Sequence, residues 1–494
     1  MSGSIPSNPA FPADHLAENF VNKTVPLKFR GTNLSFDLSQ GLFSSADIDF
    51  GTRLLLKELS ALLDRRSAAG LPPPERVLDA GCGIGVLGIC AAAAIPGCRI
   101  RCQDRDELAR IFTLRNALRN GIAETALEAH AEPLLAGAGP WDLILSNIPA
   151  KAGEPVLEDF VARSLRLLRP EGTAAIVVVS PLAEFFRRRI TLCGAKLLRE
   201  IPGSGHAVFV YGRAEEADGT EFDLHHEGGP SPPPLQSLRL FRYPPSGGST
   251  PATPPPLLKA DSQKALSVKA GPDFLARNPF YLRGKARALI EKTELEIAGI
   301  HGCAGFDDPG DAARVMAKLI LRLKPDPAGS GILIHEGGQG FFPCWLAGAG
   351  LPENAFSGLI LSGRNVLSLW ACRDNLARQI PALPVIVVPA ADLMLAGESL
   401  ARASGSKGFS LIIAFPELLP QSSLPKGCDQ LRSFWESLPP LMAEGGTFLS
   451  AFDSSAAERF DRKKPSGFTR LGGIRKNGFR ALAYRFGLED KAGF

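Results

Sequence analysis

Residues 77–85 read VLDAGCGIG. An apolar run that ends in Asp79 and passes into glycines at 81, 83 and 85 reads as a buried strand, a tight turn and the start of a helix. The Ala-rich run GVLGICAAAAI supplies that helix. Glycine lets backbone come close to a bulky ligand, and a helix N-terminus offers free N–H groups. A GxGxG turn taken alone also occurs in plain tight turns. The next strand adds to it: RIRCQD ends in Asp104, 25 residues after Asp79, where a carboxylate can accept two hydrogen bonds from a ribose 2′,3′-diol. Together the two acids point to an adenosine-type cofactor.

Working outward, strand and helix alternate. A helix from Glu107 to Asn120 is followed by the strand WDLILSN, a helix from Pro155 to Leu168 and the strand TAAIVVVS. Apolar strands separated by helices form a parallel sheet covered on both faces, so the first half is doubly wound α/β. The order then repeats. GILIHEGGQGFFPCWLAGAG matches VLDAGCGIGVLGICAAAA, LILSGRNVLSLWACRDNLAR matches RCQDRDELARIFTLRNALRN, and FSLIIAFPELLP matches WDLILSNIPAKA. EGT at Glu171–Thr173 returns as EGGT at Glu444–Thr447. A repeat of this length indicates a tandemly duplicated domain, with two unrelated α/β domains as the alternative. Between them, Pro230 to Pro256 hold ten of the 41 prolines, a composition that favours extended, unladdered chain. The expected division is an N-terminal extension and hairpin (1–40), a first domain (41–213), a Pro/Gly-rich linker (214–257) and a second domain (258–494). Within the linker, QSLRLFRY alternates as a short strand would.

At 494 residues the chain exceeds one ordinary core. Its 45% apolar and 21% charged residues are ordinary for a folded soluble protein. A net charge of +4 permits a polyanionic partner without demanding one. The nine cysteines show no paired CxxC spacing and no adjacent His pair, so no metal site is expected and reduced cytoplasmic thiols are. No export signal or membrane span is expected either.

Ahead of the glycine motif, Gly41–Leu56 reads GLFSSADIDFGTRLLL, and Asn116 and Asn120 follow Asp104 at helical spacing. WDLIL empties into SNIPAKAG at 146–153. Four motifs in this order, over roughly 25–212, resemble class I S-adenosylmethionine-dependent methyltransferases, and more narrowly the methyltransferase small group that includes ribosomal RNA guanine-N2 methyltransferases. The resemblance implies a Rossmann-like seven-stranded fold with S-adenosylmethionine as cofactor. It implies that Asp79, Gly81, Cys82, Gly83 and Gly85 hold the methionine end and that Asp104 holds the ribose, with Arg105 and Asn147 also among the cofactor-binding residues. His130 and Ala131 would lie near the adenine, and Thr52, with Asp49, near the pocket.

In the resembling enzymes the tip is NPPF or NPPY; here it is Asn147, Ile148, Pro149 and Ala150. The implied catalytic set is Asn147, Ile148 and Pro149. The Asn147 side chain and the Ile148 carbonyl would accept from a planar amino group and aim its nitrogen at the methyl carbon, so rate comes from alignment. The stacking aromatic is absent at Ala150. Asn, Pro and Gly are also what turns are made of, and Lys151 is either a phosphate contact or a solvated turn residue. In the second half Asp79 falls opposite Ile334, Asp104 opposite Gly363 and Asn147 opposite Phe415, so that half reads as a decayed copy. Two-copy members of the group carry the active copy second; here the order is reversed.

Residues 459–486 hold nine Lys and Arg against one acid, Asp461, with Phe460, Phe468, Phe479, Tyr484 and Phe486 among them. This composition suits looped RNA if the aromatics are free to stack, or a terminal hairpin if they face a core. Arg462, Lys463 and Lys464 are expected in a loop as RNA contacts. The expected activity is N-methylation of a guanine in ribosomal RNA. The alternatives are a protein glutamine or lysine N-methyltransferase, and a noncatalytic RNA-binding assembly factor.

Overall fold

The computed structural model describes residues 18–214, 274–418 and 429–487, apart from positions 44, 138, 304, 306, 328 and 353–354. The expected linker after Ala214, with its QSLRLFRY segment, lies outside the described residues. The chain divides into two compact units, each carrying a hairpin and a seven-stranded sheet.

In the first unit β1 (Lys23–Phe29) and β2 (Thr32–Leu38) form the hairpin. There follow α1 (Phe50–Ala68), β3 (Arg76–Ala80), α2 (Val86–Ala94), β4 (Arg99–Asp104), α3 (Glu107–Arg119), β5 (Leu127–Ala131) and β6 (Trp141–Asn147). The unit closes with α4 (Glu154–Leu167), β7 (Leu168–Val179), α5 (Ala183–Leu192), β8 (Ala195–Pro202) and β9 (His206–Arg213). The sheet order is β5-β4-β3-β6-β7-β9-β8; β3 to β7 pair in parallel, and β9 runs antiparallel to β7 and β8. Val77, Leu78, Leu143, Ile144 and Leu145 are wholly buried at its centre, as strands covered on both faces must be. Leu168, expected to end a helix, instead opens β7 opposite Trp141. The chain reverses direction across the sheet between β3 and β6, so the carboxyl ends of these strands flank the crevice where such sheets bind ligands.

The second unit repeats this plan with β10 (Leu282–Ile290), β11 (Thr293–Ile300), α6 (Gly310–Leu323), β12 (Gly331–His335), α7 (Phe341–Trp345) and β13 (Gly358–Gly363). Next come α8 (Val366–Gln379), β14 (Val385–Pro389), α9 (Gly397–Ser404), β15 (Phe409–Ala414), α10 (Gln430–Ser437), β16 (Met442–Asp453), α11 (Ser454–Arg462), β17 (Phe468–Lys476) and β18 (Phe479–Phe486). Its sheet order, β14-β13-β12-β15-β16-β18-β17, is that of the first. The likeness extends to single hydrogen bonds. In the first unit the Asn116 amide bridges the backbone N–H (2.8 Å) and C=O (3.1 Å) of Asp37 and donates to the Ile84 carbonyl. In the second, Asn375 bridges N–H (2.9 Å) and C=O (3.1 Å) of Ala298 and donates to the Gln339 carbonyl. Each Asn ties the hairpin to the turn after the first sheet strand.

The eight described cysteines are free thiols. Among the described residues no helix is long and apolar enough to cross a membrane, and no group of three His, Cys, Asp or Glu is placed to hold a metal ion.

Candidate active site

Asp79, the penultimate residue of β3, is fully buried. Its Oδ2 accepts from the Gly88 N–H at 2.8 Å, while Oδ1, equally buried, has no hydrogen-bond partner. Burial, with the nearby Asp104 charge, pushes its carboxyl up to about 7. Helix α2 lies so close that a Cβ on Gly88 would stand 2.4 Å from Cys102 Sγ and 3.2 Å from Asp79 Oδ2. The turn between them holds Gly81 and Gly83 at φ +77° and +56°, a region closed to most side chains. A Cβ on Gly83 would meet nothing within 4 Å, so the turn opens on free space.

Asp104, at the end of β4, accepts from the backbone N–H of Gly83 and of Asp106, each at 3.0 Å. Burial and the Asp106 charge hold its carboxyl above the usual range. Each oxygen keeps a lone pair for a further donor. Thr113, a residue that no sequence motif marked, donates to the Gly83 carbonyl at 3.1 Å and lies 3.4 Å from the buried Cys82 Sγ. Cys82 and Thr113 therefore shape the turn from behind. Asn116 and Asn120 are also structural: Asn120 bridges the backbone of Ser35 in the hairpin.

At the tip of β6 the Asn147 Nδ2 donates to Asp49 Oδ1 (3.2 Å), Asp49 Oδ2 (3.3 Å) and Thr52 Oγ1 (3.0 Å). Asp49 caps α1, accepting from the Thr52 N–H at 3.0 Å and from its hydroxyl at 2.5 Å. The Ile148 N–H donates to the Val177 carbonyl, and its side chain is buried. Pro149, Ala150 and Lys151 are exposed. A Cβ on Gly81 would lie 3.4 Å from Leu134 Cδ2 and 4.0 Å from the Asn147 carbonyl, so the glycine turn and the Asn tip border one crevice.

The structure does not bring His130 to this crevice. Asp104 pairs in register with Ala131, whereas His130 pairs with Gln103, so its side chain takes the opposite face of the sheet. There its ring is 3.2 Å from Glu128. Arg105 is exposed beyond the end of β4.

Residues 33–187 match the family model of the methyltransferase small domain. Over those residues the chain is similar to a methyltransferase small domain. Over 122 residues the chain is 34% identical to a ribosomal RNA small subunit methyltransferase C from Chromohalobacter salexigens, covering 25% of this chain and 34% of that protein. It is 29% identical over 160 residues to the uncharacterized protein YbxB of Bacillus subtilis, covering 32% of this chain and 74% of YbxB. The chain thus spans about a third of the methyltransferase C relative's length. A solved structure of the T. thermophilus 16S rRNA N2 G1207 methyltransferase, in complex with AdoMet and guanosine, superposes over 95% of this chain and 99% of its own, with a TM-score of 0.54 and 15% identity. That likeness shows the fold, two Rossmann-like domains in tandem.

The crevice between the glycine turn and the Asn147 tip fits S-adenosylmethionine. The buried Asp79 and the half-buried Asp104 are both held above the usual carboxylate range, Asp79 by burial and the Asp104 charge, Asp104 by desolvation and the Asp106 charge. A cationic sulfonium and ammonium oppose those shifts.

The second unit lacks these side chains at each matching place. Ile334 stands for Asp79 and Gly363 for Asp104 by strand register. Phe415 follows β15 where Asn147 ends β6, and it packs edge-on against Phe342 at 4.9 Å. Pro343 replaces Gly88, so the N–H that served Asp79 is missing as well. Glu336 replaces Gly81 and keeps a left-handed φ of +57°. Its carboxylate accepts from the Arg364 N–H at 2.7 Å and fills the space over Gly363.

The stacking role considered for the C-terminal aromatics is overturned for three of the five, while Phe479 and Phe486 are half-buried against the two cores. Phe460, Phe468 and Tyr484 are fully buried around Trp435 in the core, and a buried ring offers no face to a base. Arg462 ends α11 and Lys463 caps it, so neither lies in a free loop. Lys464 turns its ammonium onto the Phe468 carbonyl.

Proposed function

We propose that this chain transfers a methyl group from S-adenosylmethionine to the exocyclic amine of a guanine in ribosomal RNA. The observation that carries the reading is the juxtaposition of the glycine turn and the Asn147 tip in one crevice. The family match over 33–187 and the names of the relatives support the substrate class. Asp79 and the Gly81–Gly85 turn hold the methionine end, Asp104 holds the ribose diol, and Ala131 borders the adenine side. When bound, the cofactor supplies an electrophilic methyl carbon on a sulfonium. The Asn147 Oδ1 and the Ile148 carbonyl accept hydrogen bonds from the two amine N–H groups and turn the nitrogen lone pair toward that carbon, so that the N–C bond would form as the S–CH3 bond breaks and one amine proton would leave to water. No aromatic stands at Ala150, and Phe50, half-exposed directly after Asp49, packs toward the His206 ring at 5.9 Å. Lys151 and the basic end of α11 at Arg462, Lys463 and Lys464 serve phosphates. The second unit acts as a support for RNA binding or for stability.

The absence of an aromatic at position 150 also favours a second reading, in which the acceptor is a glutamine amide of a protein. Incubating cell extract with methyl-labelled cofactor and separating RNA from protein distinguishes the two. Label in RNA that falls about 100-fold with Asn147→Ala, while cofactor binding persists, is the expected result. Label in protein alone, or transfer unchanged by Asn147→Ala, would overturn the first reading.

A further inference from the structure

The Asn147 amide has two chemically different ends, and its neighbours accept only one of them. A carboxylate accepts and cannot donate; both Asp49 oxygens lie within 3.3 Å of Nδ2. The Thr52 hydroxyl is the third neighbour at 3.0 Å. Its own proton is committed to Asp49 Oδ2 at 2.5 Å, so toward Asn147 it too is an acceptor. Turning the amide over would set Oδ1 against three oxygens whose single proton, that of Thr52, is already given to Asp49. Asp49 is itself fixed as the cap of α1 by the Thr52 N–H.

We infer that Asp49 is a positioning residue, which with Thr52 locks the Asn147 amide so that only its oxygen faces the acceptor. The inference rests on the methyl-transfer reading above and sharpens it into a rule of selection. A freely rotating amide serves an N–H donor and a carbonyl equally; a locked one accepts from an amine or amide N–H and turns a carbonyl away. A guanine presents both kinds of group, and the lock admits the amine and disfavours O6.

The test must separate this role from helix capping, since Asp49 also starts α1. Serine caps a helix N-terminus about as well as aspartate but is too short to reach Asn147. Asp49→Ser should therefore leave the fold and the cofactor Kd within twofold of the parent, with KM for the acceptor little changed and kcat lowered at least tenfold. Asp49→Asn, which keeps a single acceptor oxygen, should fall between. A readout independent of catalysis is the side-chain amide signal of Asn147 in 15N-labelled protein, assigned by its loss in Asn147→Asp. In the parent its protons should exchange slowly with water, and in Asp49→Ser at the rate of a free amide. If Asp49→Ser keeps both the parent kcat and the parent exchange rate, Asp49 is a helix cap alone and the inference is wrong. If the parent transfers methyl to neither RNA nor protein, the functional reading fails by itself, and the exchange rates still decide the lock.

Discussion

The two halves share a scaffold and differ in what that scaffold holds. Asn116 and Asn375 make the same three hydrogen bonds to the same places, and the turn after the first sheet strand makes the same contact to the second. The N–H of Gly81 donates to the Gln103 carbonyl at 2.8 Å, and that of Glu336 to Ser362 at 2.8 Å. The carboxylates, by contrast, are gone from the second half together with their donors. Asp79 and the Gly88 N–H become Ile334 and Pro343, an acceptor and a donor lost as a pair. Removing one member of a buried pair leaves the other orphaned at about 1–3 kcal/mol, whereas replacing both by apolar groups is nearly neutral. The lesson is that polar groups answering to the fold persist, while those answering to a ligand disappear in matched sets.

The comparison can be broken most directly at the cofactor. Calorimetry should find one S-adenosylmethionine bound per chain, and none once Asp104 is changed to Ala, with the thermal transition kept. Two equivalents in the parent, or unchanged affinity in Asp104→Ala, would refute the assignment of an active and an inactive half. Next in size, Ile334→Asp should lower stability in urea by about 3 kcal/mol, because the new carboxylate is buried with no donor opposite it. Adding Pro343→Gly should recover part of that loss. An Ile334→Asp protein as stable as the parent would show that the donor's absence does not matter.

The smallest effect is one of pH. The Asp79 carboxyl, raised from 3.8 to about 7 in the fold, favours the folded domain below pH 3.8, and that contribution is lost as pH rises through 7. A cationic cofactor favours the ionised form, so its affinity should climb with pH up to about 7 and then level off. Titration calorimetry on Asp79→Asn should give a flat profile in that window. An unchanged slope would assign the proton to another group.

Much of this was legible in the sequence because the central strands are continuous apolar runs, and their spacing alone set Ile334, Gly363 and Phe415 opposite the three key residues. What escaped depends on contacts that spacing does not report. Asn147 and Asp49 stand 98 residues apart, and nothing in either motif names the other. His130 stands one position from Ala131, enough to put its side chain on the other face of the sheet from Asp104. The C-terminal aromatics were ambiguous because alternation tells which residues share a face but not which face is covered; Trp435, on a separate helix, covers it. Glu336 gave no signal as an occupant of its own crevice, since a charged residue in a glycine position reads simply as a motif lost.

The Ile334 and Pro343 pair also fixes the order in which history can run. From the present state, restoring the acid first creates an orphaned charge, and restoring the glycine first weakens a helix for no return. Neither single step is favourable, so the route back lies across a valley while further drift lies on level ground. A branched apolar side chain and an imino acid thus hold the second half on that level ground.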